Sequence, residues 1–115
     1  MSLHPHAAAS LAAAVLAALS GAAGDVVAQD IAAGRRKAIA CQACHGVDGI
    51  AKLPDAPHLA GQPAPYLARA LRAYRAGERR NEVMSVAVKA LSDEDIRDLS
   101  AYYAAIQIEV KAMPQ

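Results

Sequence analysis

The chain has 115 residues, a formal net charge of +1, no Trp, no Phe and four Tyr. That length makes one domain the natural reading, and so balanced a charge excludes the basic surface that nucleic-acid binding requires. With aromatics this scarce the core is thin, so a small domain needs a staple such as a disulfide, a metal or a bulky cofactor.

At the N-terminus, Ala7 through Ala23 is almost wholly apolar and rich in Ala, and Val26-Val27-Ala28 is a small-residue cleavage pattern. Residues 1–28 are therefore expected to be a signal peptide cleaved before Gln29, leaving 29–115 as the mature domain. One feature departs from the usual pattern: only His4, His6 and the amino terminus precede the apolar run, with no Lys or Arg. The alternative is an uncleaved, Ala-rich helix that tethers the protein to a membrane, although the run is short and poor in Leu for a span.

Beyond Ala28 the pattern is helical. Asp30 suits the N-cap of a first helix, and Ile31, Gly34, Ala38 and Cys41 recur on one face. Gly in mid-helix costs about 1 kcal/mol against Ala, so the use of Gly34 is to let another helix come close. The end of this helix is Cys41-Gln42-Ala43-Cys44-His45, which holds both cysteines of the chain. Residues three and four apart share a helix face. Cys41 and Cys44 can thus both reach the vinyl groups along one edge of a porphyrin, and His45 can present an imidazole nitrogen to its iron. The pattern reads as the covalent attachment site of a c-type haem. Such a chain is an electron carrier whose redox chemistry comes from the cofactor. The haem also supplies the missing apolar mass. Its attachment outside the cytoplasm agrees with an export signal and a periplasmic location.

From Gly46 to Gln62, Gly46, Gly49, Pro54, Pro57 and Gly61 predict a loop. A second helix is expected from Ala64 to Ala76, with Leu67, Leu71 and Tyr74 apolar and Gly77 ending it. A charged loop, Gly77 to Val83, follows. Ser92 opens the last helix with a capping box in which Asp95 replaces the usual Glu. Ile96, Leu99, Tyr103, Ile106 and Val110 form its apolar stripe, and Pro114 lies beyond its end. No segment alternates as a strand, so the fold class is all-α. This argues against a Cys-x-x-Cys dithiol oxidoreductase, whose motif sits at a strand-to-helix junction. A structural zinc site needs four ligands, and there is no second cysteine pair.

Three side chains compete for the sixth position on the iron. Met113 stands two residues from the C-terminus, past a full helix, and His58 sits in a Pro-bounded loop shortly after His45. Met84 is far enough downstream of His45 for the chain to wrap over a porphyrin and return. The spacing favours Met84. His58, an open position or Met113 are the alternatives, and a gap-filling core methionine is the plain structural reading of Met84.

The residues from Ile31 to Ile106 resemble the class I c-type cytochromes, in particular the short bacterial c-553 type and single halves of the c4 type. The matching stretches are Cys41-Gln42-Ala43-Cys44-His45-Gly46, Asp48-Gly49, Pro57-His58-Leu59-Ala60-Gly61-Gln62, Tyr66-Leu67, Tyr74-Arg75-Ala76-Gly77, Met84, Leu91 to Ile96 and Leu99 to Tyr103. The resemblance implies an all-α class I fold in which terminal helices cross around a covalently bound haem, one haem c per chain, with His45 and Met84 as axial iron ligands. It also implies that the Pro57 carbonyl accepts a hydrogen bond from His45, and that Leu59 packs on the His side of the porphyrin. Tyr66 and Tyr74 either reach a haem propionate or pack. Thioether sulfur favours ferrous iron, so such ligation raises the reduction potential.

Charge is segregated along the chain. Arg69, Arg72, Arg75, Arg79 and Arg80 could dock an acidic redox partner through a small, charge-steered interface, or be solvated side chains lying along a helix. Asp93, Glu94, Asp95 and Asp98 form an acidic counterpart on the last helix. The reading is a free electron shuttle. The alternative is a haem c subunit of a larger dehydrogenase or oxidase complex.

Overall fold

The computed structural model describes Met1 and residues 28–115, so the expected apolar signal segment lies outside the described residues. In chain order these residues form α1 (Ile31–Lys37), a 3-10 turn (Ala38–Cys41), α2 (Gln42–His45), α3 (Ala64–Ala76), α4 (Glu82–Ala87) and α5 (Asp93–Ala105). Among them there is no strand, and no helix is long and apolar enough to cross a membrane.

Asp30 starts α1 as expected. Its backbone is extended and its carboxylate accepts from the N–H of Ala33 at 2.9 Å, satisfying a donor that has no partner within the helix. The helix does not run evenly into the cysteine motif. It tightens into the 3-10 turn and resumes as α2, so Cys41 and Cys44 lie on either side of a change in helical pitch. Of the expected apolar face, Gly34 and Ala38 are buried while Ile31 stays exposed, because the helix crossing is centred on Gly34.

That crossing is with α5. A Cβ at Gly34 would run into the backbone of Asp98 and come within 2.7 Å of Tyr102 Cβ. Asp98, one of the four acids expected on the last helix, is only 2% exposed. Its carboxylate accepts from the Asp30 N–H at 3.0 Å and from Lys37 Nζ at 3.3 Å. Lys37 also reaches Asp95 at 3.1 Å. The close approach of two backbones and a buried, partnered carboxylate thus fix one helix against the other.

The capping box of α5 is reciprocal: Ser92 Oγ accepts from the Asp95 N–H at 3.0 Å, and the Asp95 carboxylate from the Ser92 N–H at 2.9 Å. The helix ends at Ala105 because Ile106 turns extended. Val110 therefore lies off the stripe and is 72% exposed. Leu99 and Tyr103 pack with Ala38 of the 3-10 turn and Leu67 of α3, flanked by Leu59, Leu71, Leu91 and Ile106. Helix α3 spans the expected residues and stops at Gly77, whose φ of 77° is the left-handed conformation that glycine adopts without strain. The charged loop after it ends sooner than the sequence suggested. Asn81 caps α4, its side chain accepting from Val83 and Met84 N–H at 3.1 and 2.9 Å.

Candidate functional site

The helices and the 46–62 loop enclose one cavity of about 760 Å3, within the roughly 300–1,000 Å3 range of small-molecule and cofactor sites. All six residues assigned to the site from the sequence line it: Cys41, Cys44, His45, Pro57, Leu59 and Met84. The first three come from the 3-10 turn and α2, Pro57 and Leu59 from the loop, and Met84 from α4.

The loop is held by few but specific bonds. The Gly49 carbonyl accepts from the Leu59 and Ala60 N–H groups at 2.8 and 3.0 Å, and the Cys44 carbonyl accepts from Lys52 N–H at 2.8 Å. At Gly49, φ is 71° and a Cβ would lie 2.6 Å from the Ala60 nitrogen, so only glycine lets the two strands of the loop close. From α5, Tyr102 donates to the Val47 carbonyl at 2.6 Å and Tyr103 to the Gly46 carbonyl at 3.3 Å. The turn after His45 is thereby pinned to the last helix.

Within this frame His45 is buried, and its Nδ1 lies 2.9 Å from the Pro57 carbonyl. A carbonyl can only accept, so Nδ1 carries the proton and Nε2 is the nitrogen left for a metal. His58 is exposed, and its Nδ1 accepts from the Ala51 N–H at 2.8 Å, which ties the ring to its own loop. Burial pushes the Cys41 thiol up from its ordinary pKa, and burial also raises the Tyr103 hydroxyl beside it. Tyr66 and Tyr74 both line the cavity.

The donors fit a haem. Two thiols and one imidazole from a single short stretch share a largely apolar cavity with a thioether from a separate segment. The cavity also contains an orphan: Ser100 Oγ is buried and has no hydrogen-bond partner among the described residues. Among those residues, no three His, Cys, Asp or Glu side chains are grouped to hold a metal ion by themselves.

The five arginines do not form one array. Arg75 donates to the Leu91 carbonyl at 2.8 Å and bonds Asp93, and Arg72 approaches Asp93 at 4.0 Å. These two brace α3 against the start of α5. The bond to Arg75 holds the Asp93 carboxyl below its ordinary pKa. Arg79 lies over the Tyr74 ring, 4.7 Å from its centroid, and lines the cavity. Arg69, Arg72, Arg79 and Arg80 are all exposed, and only Arg75 is half-buried. Sequence reasoning missed two supports of the site, Asp98 and Asn81. The signal for Asn81 was an Asn directly before Glu82, a cap followed by a first-turn acid.

Residues 31–106 match the family model for cytochrome c. Cytochrome c-554(548) from Halomonas halodenitrificans is 46% identical over 79 residues, covering 66% of this chain and 95% of that one. A protein named thiosulfate dehydrogenase electron acceptor from Thiomonas intermedia is 41% identical over 85 residues, covering 72% and 39%. The crystal structure of reduced cytochrome c4 from Pseudomonas stutzeri superposes with a TM-score of 0.65 at 37% identity, covering 70% of this chain and 47% of that one. The chain thus spans nearly all of the first relative and less than half of the other two. The chain belongs to the cytochrome c family, has the class I all-helical fold, and is a haem c electron-transfer protein rather than an enzyme.

Proposed function

We propose that this protein is exported by residues 1–28 to the periplasm and shuttles single electrons there, with His45 and Met84 as the two axial ligands of its haem iron. The observation that carries this reading is that Cys41, Cys44, His45 and Met84 line one cavity. Haem supplies a one-electron iron couple, and the chain sets its terms. Cys41 and Cys44 hold the porphyrin through thioethers. The Pro57 carbonyl fixes the ring of His45 and makes its free nitrogen a stronger donor. Met84 contributes a soft sulfur that favours the reduced state. Leu59, Leu67 and Leu99 keep water out, and a dry cavity disfavours the more highly charged ferric site. With His45 and Met84 both holding the iron, dioxygen would have no position to occupy and electron transfer would be what remains.

The test is optical. Oxidised wild-type protein is expected to show the weak near-infrared sulfur-to-iron charge-transfer band. Met84→Ala is expected to abolish it, and persistence of the band in that variant overturns the assignment of Met84.

Partners are met through the exposed arginines, Arg69, Arg72, Arg79 and Arg80, of which Arg79 also lines the cavity. Electron-transfer rates with an acidic partner are then expected to fall as ionic strength rises. A second reading is favoured by the relative named as an electron acceptor of thiosulfate dehydrogenase: this chain accepts electrons within a dehydrogenase complex. Co-purification with a larger protein at low salt supports that reading, and an isolated monomer supports the shuttle.

A further inference from the structure

Three tyrosines line the cavity. Tyr66 is exposed and Tyr74 half-buried, whereas Tyr103 is only 3% exposed and belongs to the buried cluster against which Cys41 packs. Its hydroxyl donates to the Gly46 carbonyl, but at 3.3 Å. That is long for an O–H donor, whose usual distance is about 2.7–2.8 Å. The neighbouring Tyr102 makes the same kind of bond to the Val47 carbonyl at 2.6 Å. The Gly46 carbonyl also has a donor of its own, the Gly49 N–H at 3.1 Å. The Tyr103 hydroxyl is therefore only loosely claimed by the backbone. The other polar atom beside it is the Cys41 sulfur, and this contact acts to lower the pKa of the thiol against the burial that raises it.

Haem attachment changes what that contact can be. A free thiol donates or accepts, but a thioether has no proton and can only accept. The phenol then supplies the proton shared by the Gly46 carbonyl and the Cys41 sulfur. We propose that Tyr103 is a positioning residue of the electron-transfer site, its hydroxyl donating to the Cys41 thioether and so tying the haem's attachment point to the turn that follows His45. This rests on the haem being bonded through Cys41, as set out above. The bond has two effects. It holds one edge of the cofactor in register with the backbone that carries the imidazole, and it directs the positive end of an O–H dipole at the cofactor, which favours the ferrous state. Tyr102 does neither. It bonds one residue further along the turn and does not line the cavity.

Two measurements on haem-loaded protein test this. In nuclear magnetic resonance of the reduced wild type, the Tyr103 hydroxyl proton is expected to exchange slowly and to give a dipolar cross-peak to the Cys41 β-protons. Absence of that contact overturns the proposal. Potentiometric titration at fixed pH then compares Tyr103→Phe with Tyr102→Phe, which lose one hydroxyl each from adjacent positions of α5. Tyr103→Phe is expected to raise the oxidised-to-reduced ratio at a fixed ambient potential by roughly two- to three-fold, a fraction of one hydrogen bond. Tyr102→Phe is expected to lower stability and leave the ratio unchanged. No shift in Tyr103→Phe, or equal shifts in both variants, overturns the proposal, because either hydroxyl would then be a brace alone. If Tyr103→Phe fails to mature, the wild-type resonance measurement decides. The mass of the proteolytic haem peptide is recorded alongside. Both sulfurs bonded but no Tyr103 contact ends this proposal only, whereas a haem peptide without the Cys41 bond ends the reading beneath it as well.

Discussion

The two sides of the cavity are built by different means. On one side, α1, the 3-10 turn, α2 and α5 form a frame of buried contacts: Gly34 against Asp98, Asp98 holding Asp30 and Lys37, and Tyr102 and Tyr103 bonded to the turn after His45. On the other side Met84 rides on α4, a six-residue helix with no buried residue, in which Val83 and Val86 are exposed. Isolated helices this short are not stable by themselves. The histidine wall is thus formed by the polypeptide, whereas the methionine wall depends on a capping side chain and on what fills the cavity. On the proposed ligation, Met84 would close the site against the firmly packed attachment side once the haem is in place.

Perturbations of the two walls should therefore differ in kind. The largest effect is expected from Gly34→Val, which forces side-chain carbon into the Asp98 backbone and should lower unfolding free energy by at least about 3 kcal/mol. Denaturant unfolding of the haem-loaded protein measures it. Asp98→Ala comes next, at about 2 kcal/mol, because it leaves the Asp30 N–H and Lys37 without their buried acceptor. Both substitutions should move the global transition. Asn81→Ala removes only the cap of α4, worth about 1 kcal/mol. It should show up less in global unfolding than in faster hydrogen exchange across 82–87 and a weaker near-infrared band. If Asn81→Ala instead unfolds the whole protein as readily as Asp98→Ala, the contrast between the walls is wrong.

The smallest effect is expected from pH. Asp95 is held below its ordinary pKa by the Ser92 N–H and then by Lys37, and Asp93 by Arg75. A depressed pKa means that the unfolded chain binds the proton more readily. The stabilisation is therefore fully present above the ordinary carboxylate value of 3.8 and is lost as pH falls through the lower folded value. Stability should be flat from neutrality to about pH 5 and decline only in stronger acid. Asp93→Asn should remove part of that decline.

Local chemistry was legible in the sequence wherever it is short-range. Asp30, the Ser92–Asp95 box and Gly77 each act within one turn of a helix, and the structure places all three as expected. Gly34 was legible because a glycine in a helix has few other uses. What could not be read depends on the rest of the chain. Asp98 looks like its exposed acidic neighbours, and only the approach of Lys37 and Asp30 from the other end of the sequence makes burial tolerable. Helix α4 is too short to show a period, so its first two residues, Glu82 and Val83, read as the end of the charged loop. Val110 continues the spacing of α5 but not its helix, since Ile106 turns extended first. At the site, the cysteine motif and the loop residues Pro57 and Leu59 were assigned together and are found around one cavity. The distinct roles of the five arginines needed the positions of Asp93 and Tyr74.

The central claim is that the chain closes its cavity with the sulfur of Met84. Nuclear magnetic resonance of reduced, haem-loaded protein carrying labelled methionine methyl groups tests it most directly, because a methyl held over the porphyrin face is displaced far upfield by the ring current. One such signal is expected, absent from Met84→Ala and unchanged in Met113→Ala. An upfield methyl signal that survives Met84→Ala, or no upfield methyl in the wild type, would contradict the account.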